Sequence, residues 1–520
     1  MPKHPNILFI MADQLGAGIL NAYGGGMDST PVLDRLAAEG VRFDRCYAHA
    51  AVCAPNRATI FSGRSVEIHG VIHNELSLTD ETPTFVDRLR GRGYHTGGFG
   101  KFHLTPIVLP APEHLDYLGF DEITAVNDTR LGPYLDWIEQ EHPEHLEAAM
   151  ALAWDPPYCA EYGPQERNIL PRLRAAREKI LRPRMQASDW ESMYTHPLPH
   201  ELHESTFMTD RALDFMERHA AGKDENPFFC YVSYVDPHDP YSPPEPYDRM
   251  FDPDDIPDPV PMAVEEYPSK ALEGSRDFKN FRAISRDPVM IRKLRAHYHG
   301  QIRLIDDQIG RMMEHLEETG QAENTIVVFT TDHGDMIGDH GLITKGIKHY
   351  DLSARCPLIV RGPGIRAGTS ARLTSSLDMY PTMCDWAGVP EGERPPVEGI
   401  SFADACRPGG NEDGWDAVTV RSTARRRPGN GTVASVVTRD GWRYTIFDEP
   451  GDYGEMFNLA EDPHEQSNVY HDPAWRNKRI ELSVLHARAF LRASVIDPYR
   501  NYPMVDGKRS ADAICGYGGP

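Results

Sequence analysis

Residues 6–14 read Asn-Ile-Leu-Phe-Ile-Met-Ala-Asp-Gln, and residues 325–333 read Thr-Ile-Val-Val-Phe-Thr-Thr-Asp-His. Each is a short apolar run that stops at an aspartate followed by a second polar side chain. A run of about 4–8 apolar residues bounded by polar or turn residues reads as a strand buried on both faces. Tyr94–Phe99, Pro227–Val235 and Pro357–Val360 repeat the pattern, and all five are predicted as buried parallel strands. Amphipathic patterns between them predict helices at Pro31–Glu39, Pro83–Gly91, Glu204–His219 and Arg292–Gly320. Strands alternating with helices imply an α/β fold, a large and mostly parallel sheet with helices on both faces. Ligands in such sheets bind at the C-terminal ends of the strands. Polar clusters stand at those ends here: Asp13-Gln14, Lys101 with His103, Asp236 to Asp239, and Asp332-His333.

The composition supports a folded enzyme. The chain has 520 residues, 40% apolar and 25% charged, which is ample for a large core and excludes disorder as the default. The formal net charge of −24 disfavours nucleic acid and anionic membranes as partners. Any anion must therefore be drawn by a local cationic pocket. No apolar stretch approaches the ~20 residues of a membrane span, and the N-terminus lacks a signal-peptide pattern, so a cytoplasmic location is expected. Eight cysteines without a CxxC pair suggest neither a zinc knuckle nor a disulfide framework.

Residues 105–203 are rich in proline, charge and aromatics and show no strand pattern. They are expected to form an insertion with some helix, as at Arg172–Leu181. Residues 240–290 read as loop. From Ala417 the texture changes to alternating runs, VTVRS, VASVVT and WRYTIF, then a helix at Trp475–Ala493, which predicts a small α+β domain with an antiparallel sheet. The expected organisation is a catalytic domain over 1–400, the small domain over 401–495, and a polar tail over 496–520.

Three constellations carry chemistry. The first is Cys53-Ala-Pro-Asn-Arg57, a pattern whose chance expectation in this composition is below ~0.07 occurrences. Pro55 suits the first turn of a helix, where its missing N–H costs nothing. Cys53 is thus placed at a helix N-terminus, which favours anions, with Arg57 one turn on and able to grip a tetrahedral oxyanion. The second is Asp13-Gln14 with Asp332-His333: two carboxylates, an amide oxygen and an imidazole suited to one divalent cation. The third is a positive set in an acidic protein: Lys101, His103, His238 and Lys345.

Together these stretches resemble the type I sulfatases, the formylglycine-dependent branch of the alkaline phosphatase superfamily. The matching segments are PNILFIMADQ, CAPNRATIFSGR, GYHTGGFGKFH, VDPHDP, TTDHGDMIGDHGLITKG running to HYDLSARCPLIVRGPG, and GEMFNLAEDPHEQSN. The resemblance implies that a formylglycine-generating maturase oxidises Cys53 to formylglycine, whose hydrate is the nucleophile. One hydroxyl attacks the sulfur of a small-molecule sulfate ester, and the second then expels sulfate and regenerates the aldehyde. It further implies that Asp13, Gln14, Asp332 and His333, with the residue at 53, hold one divalent metal. Arg57, Lys101 and Lys345 would compensate charge, His103 would orient or deprotonate the diol, and His238 would contact sulfate or protonate the leaving oxygen. Asn74 joins Lys101, His238 and Lys345 as a candidate substrate-binding residue.

Many family members carry a second Asp where this chain has Gln14, and Asn where it has His333. Ca2+ is the expected metal, and the more nitrogenous donor set brings Mn2+ or Mg2+ into range. The same pairs resemble choline sulfatases and phosphonate monoester hydrolases, so a phosphonate monoester or phosphodiester hydrolase is the alternative. The Lys101/His103 pair favours sulfate. A homo-oligomer, with the C-terminal tail crossing to a neighbour, is a further expectation.

Overall fold

The computed structural model describes residues 4–105, 118–153, 169–185, 193–222, 226–261, 269, 287–423 and 431–493, with 504–505 and 508–509. Nine strands form the main sheet: β1 (Asn6–Ala12), β2 (Val41–Tyr47), β3 (His95–Gly100), β4 (Glu122–Ala125), β5 (Phe228–Ser233), β6 (Thr325–Thr331), β7 (Arg355–Cys356), β8 (Leu358–Arg361) and β9 (Gly368–Ser375). Their order is β4-β3-β5-β1-β6-β8-β2-β7, with β9 paired to β2. β4 through β6 run parallel.

β1 sits at the centre and explains the two-sided burial. Its alternate side chains part into two cores, because successive residues of a strand face opposite ways. Ile7, Phe9 and Met11 pack with Ala54, Ala58 and Phe61 of the helix Cys53–Ser62, with Phe85 and Leu89 of the helix Phe85–Gly91, and with Met379 and Met383 of the helix Met379–Trp386. Leu8, Ile10 and Ala12 face the other way. They pack with Leu33 and Leu36 of the helix Pro31–Glu39, Phe215 and Met216 of the helix Glu204–Ala221, and Ile302, Ile305 and Ile309 of the long helix Pro288–Glu318.

Two expectations are corrected. Leu358–Arg361 pairs antiparallel with β6, not parallel. A strand buried on both faces shows the same apolar run whichever way it travels, so its direction is not written in its composition. The stretch 105–203 does contain a strand: β4 extends the sheet parallel to β3. It is a short edge strand of which only Ala125 is buried, so no apolar run announces it. Helices at Pro133–Glu141, Leu146–Leu152 and Ile169–Ile180 occupy other parts of that stretch, and residues 106–117, 154–168 and 186–192 lie outside the described residues.

A second, antiparallel sheet follows in the order β10 (Ala417–Thr423), β11 (Thr432–Thr438), β12 (Trp442–Phe447) and β13 (Gly454–Asn458), covered by the helix Arg476–Ala493. It packs on the loop after β6. His349 hydrogen-bonds Ser435 at 2.8 Å and Ser422 at 2.9 Å, and the Tyr350 hydroxyl donates to Glu455 at 3.0 Å. Of the expected tail, Met504–Val505 pairs antiparallel with Lys508–Arg509, and the rest lies outside the described residues. Among the described residues, no helix is long and apolar enough to cross a membrane.

Candidate active site

Strand register builds the first half of the site. β1 and β6 are parallel neighbours with Ala12 opposite Thr331, so Asp13 and Asp332 emerge side by side at the C-terminal edge. The backbone N–H of Gln14 donates to Asp332 Oδ1 at 3.1 Å, and that of His333 donates to the same oxygen at 2.9 Å. Gln14 reaches this position with a φ of 66° and His103 with a φ of 48°, left-handed conformations that non-glycine residues adopt only under constraint from their surroundings.

The helix Cys53–Ser62 supplies the second half. Cys53 is its first residue and Pro55 lies in the first turn, as the sequence implied. Cys53 Sγ lies 3.1 Å from His333 Nε2 and 3.7 Å from Asp13 Oδ1. Ligand atoms of Asp13, Cys53, Asp332 and His333 all fall within 4.8 Å of one another, and all four residues are buried. Asn56 fastens the helix to the metal-side loop: its amide donates to the Asp332 carbonyl, while its oxygen accepts from His49 N and Ser376 Oγ. Asn74 accepts the Ala54 backbone N–H at 3.1 Å, so its oxygen is engaged in holding the start of this helix.

Arg57 is fully buried and faces carboxylates. Nε donates to Asp332 Oδ2 at 2.8 Å and Nη2 to Asp13 Oδ2 at 3.1 Å, while Nη1 reaches the Lys101 carbonyl, Ser233 Oγ and Tyr231 OH. Its fork thus grips the outer oxygens of the two aspartates, where the sequence suggested a direct grip on an oxyanion. Lys101 lies between two carboxylates, with Nζ 2.6 Å from Asp13 Oδ2 and 2.5 Å from Asp128 Oδ1. Burial opposes the charge on Asp13, but Lys101, His238 and Arg57 outweigh it and hold the carboxyl well below its ordinary range. Burial likewise opposes the Lys101 charge, and Asp128 and Asp13 outweigh it, so Lys101 stays an ammonium.

His103 is buried with both ring nitrogens unpartnered. Burial, then the Lys101 ammonium, push its imidazole down to about 3, so it is neutral and only weakly basic. Burial also lowers His333, the form a metal ligand needs. The Cys53 thiol is pushed up to about 12 by burial and then by Asp13, which makes it a poor thiolate nucleophile. On the opposite wall, Lys345 Nζ reaches both Gln14 Oε1 and His238 Nε2. The Gln14 amide donates to Asp335, which also accepts from Tyr241 OH and the backbone N–H groups of Ile337 and Thr344. The structure thus brings all the sequence-predicted residues to one strand edge. It adds Asp128, Asp335, Asn56, Tyr231 and Ser233, to which the sequence reading gave no role, although Asn56 and Asp335 lie within quoted motifs.

The sequence profile described as "Sulfatase" matches residues 5–389, and that described as "N-sulphoglucosamine sulphohydrolase, C-terminal" matches residues 338–488. The chain belongs to the sulfatase family. Relatives of this sulfatase include an arylsulfatase of Clostridium perfringens, 28% identical with 91% of this chain and 92% of that protein covered. Another is the multifunctional alkaline phosphatase superfamily protein PehA of Trinickia caryophylli, 29% identical with 90% and 92% covered. Among solved structures, the phosphonate monoester hydrolase of Agrobacterium radiobacter superposes with a TM-score of 0.71 at 24% identity, covering 94% of this chain and 96% of that one, a likeness of fold.

The donor set of this sulfatase fits a metal ion, which the family generally uses. The donors are two carboxylates and a neutral imidazole, buried together, and Arg57 and Lys101 hold the outer carboxylate oxygens so that Asp13 Oδ1 is left on the inner side. Separations within 4.8 Å span the width of one coordination sphere with ligand distances of about 2.0–2.6 Å.

Proposed function

We propose that this enzyme of the sulfatase family cleaves sulfate monoesters with the hydrate of an aldehyde made from Cys53, beside one divalent metal held by Asp13, Gln14, Asp332 and His333. The convergence of Cys53, Asp13, Asp332 and His333 within 4.8 Å at the sheet edge carries this reading. A bound Ca2+, or Mn2+ or Mg2+ given the nitrogen donor, would acidify the attacking hydroxyl and neutralise ester oxygens. Conversion implies a formylglycine-generating maturase as a partner.

The remaining roles follow from the contacts. Arg57 fixes the two aspartates in the orientation their ligand oxygens need. Lys101 presents an ammonium to the ester oxygens. His103, neutral and unpartnered, orients the hydroxyl at residue 53 through a hydrogen bond. Lys345 and His238 share a hydrogen bond, and the pair would hand a proton to the leaving oxygen. A gem-diol has an internal route for expelling sulfate that a serine lacks. Phosphonate monoesters and phosphodiesters, which also carry one charge, form the second reading. The Gln14 and His333 donors are compatible with both readings, while the Lys101/His103 pair favours sulfate.

The test is hydrolysis of p-nitrophenyl sulfate by protein whose residue 53 has been assayed by mass, expected about 18 Da lighter as the aldehyde. Activity should follow the converted fraction and vanish in Cys53→Ala. Full activity in Cys53→Ala, or with an unmodified thiol, would overturn the reading.

A further inference from the structure

Asp128 stands in the ester cradle without a part in the reaction described above. It lies in the turn that follows β4, and its side chain is only 7% exposed. Oδ1 binds Lys101 Nζ at 2.5 Å, while Oδ2 is buried with no hydrogen-bond partner. Asn127 Oδ1 and Thr129 Oγ1, its neighbours in the same turn, are also buried and unpartnered, as are both nitrogens of His103. Buried polar atoms left unpaired are costly, so such a concentration marks a wall that faces a ligand or water. Lys101 is the charged group acting most strongly on Asp128.

This placement has an electrostatic consequence. Lys101 carries one positive charge and is already opposed by two carboxylates, Asp13 from the metal side and Asp128 from the ester side. Asp13 is needed as a ligand; Asp128 is not. Asp128 therefore subtracts one unit of charge from the cradle. An ester bearing one negative charge feels that subtraction once, and an ester bearing two feels it twice.

We propose that Asp128 is a specificity-determining residue that matches the cradle to singly charged esters and rejects doubly charged phosphate monoesters. The inference rests on the sulfatase reading and deepens it. It applies equally to sulfate monoesters, phosphonate monoesters and phosphodiesters, all monoanions, and sets them against phosphate monoesters, which approach two charges near neutral pH. With Asp128 roughly 5–6 Å from the ester across Lys101, one unit of charge at an effective dielectric near 20 changes binding by about 10²-fold.

The probes are benzenesulfonate and phenylphosphonate, unreactive anions of nearly one shape that carry one charge and, at about pH 8, close to two. Their dissociation constants are measured by competition or calorimetry on the metal-loaded protein and on Asp128→Asn and Asp128→Glu. Asparagine keeps a hydrogen bond to Lys101 and removes the charge; glutamate keeps the charge. Asp128→Asn should shift the phenylphosphonate-to-benzenesulfonate affinity ratio by about 10² toward the dianion, and Asp128→Glu should leave it within about threefold. A parallel change in both probes, with the ratio unmoved, would mean that Asp128 merely orients Lys101 and would overturn the proposal. Should Asp128→Asn not fold, the unaltered protein decides. Its affinity for phenylphosphonate relative to benzenesulfonate should fall as pH rises from about 6 to 8, and a rise would refute the charge argument. The sulfatase reading fails separately, if the unaltered, converted protein does not hydrolyse p-nitrophenyl sulfate.

Discussion

Replacing Arg57 with lysine tests how the carboxylate pair is held. Arg57 makes five hydrogen bonds within a fully buried site: to Asp332 at 2.8 Å, Asp13 at 3.1 Å, the Lys101 carbonyl at 2.7 Å, Ser233 at 2.9 Å and Tyr231 at 3.2 Å. Lysine conserves the charge, so the aspartates are not left without a counter-ion. Its single ammonium cannot span Asp13 and Asp332 and still reach β5. About three bonds are lost, at least one of them to an ionised partner. At ~1 kcal/mol for each neutral bond and ~1.5–3 for a charged one, the expected destabilisation is about 3–5 kcal/mol. Metal affinity should fall about 10–100-fold, as when groups that orient ligands are removed. Urea unfolding of the metal-free protein gives the first number and metal titration the second. A destabilisation below about 1 kcal/mol with unchanged metal affinity would refute the claim that the fork positions the two ligands.

Asp332→Ala should lose both bound metal and turnover while retaining its secondary structure; stoichiometric metal in that variant would place the site elsewhere. Lys101→Ala and His103→Ala should each lower kcat/KM for p-nitrophenyl sulfate by about 10²–10³-fold, read from steady-state rates. His349, buried between Ser422 and Ser435, is pushed down to about 3 by burial and then by Arg443. The folded imidazole stays neutral while an unfolded one gains a proton below about 6.5. The unfolded state therefore binds more protons and stability falls as pH drops from about 6.5 toward 3. In His349→Gln the slope of unfolding free energy between about pH 6 and 4.5 should be shallower by up to ~1.4 kcal/mol per pH unit, and an unchanged slope would show that His349 does not contribute.

The central strands were legible because burial on both faces leaves a continuous apolar run, as in Ile7–Ala12 and Ile326–Phe329. The metal-side residues were legible for the same reason: each pair terminates such a run, and the register of β1 on β6 makes two sequence-distant ends adjacent. Two partly exposed strands were not. β2 alternates arginine and aspartate with Phe43 and Val41, and β4 offers only Ala125 to the core, so neither has a run to read. β8 betrayed its presence but not its direction. Within the site, residue types were legible and pairings were not. Nothing in Cys-x-Pro-x-Arg shows that Arg57 turns to Asp13 and Asp332, because that depends on where β1 and β6 end relative to the helix. Asp128 was invisible for a related reason: its meaning comes from Lys101, which stands 27 residues earlier on the adjacent strand's end.

The most direct test of the central claim is kcat/KM on matched p-nitrophenyl esters, the sulfate against a phosphonate monoester, in one metal-loaded preparation with its Cys53 conversion measured by mass. The expected result is a larger value for the sulfate, with both activities proportional to the converted fraction. A larger value for the phosphonate, or turnover independent of conversion at Cys53, would contradict it.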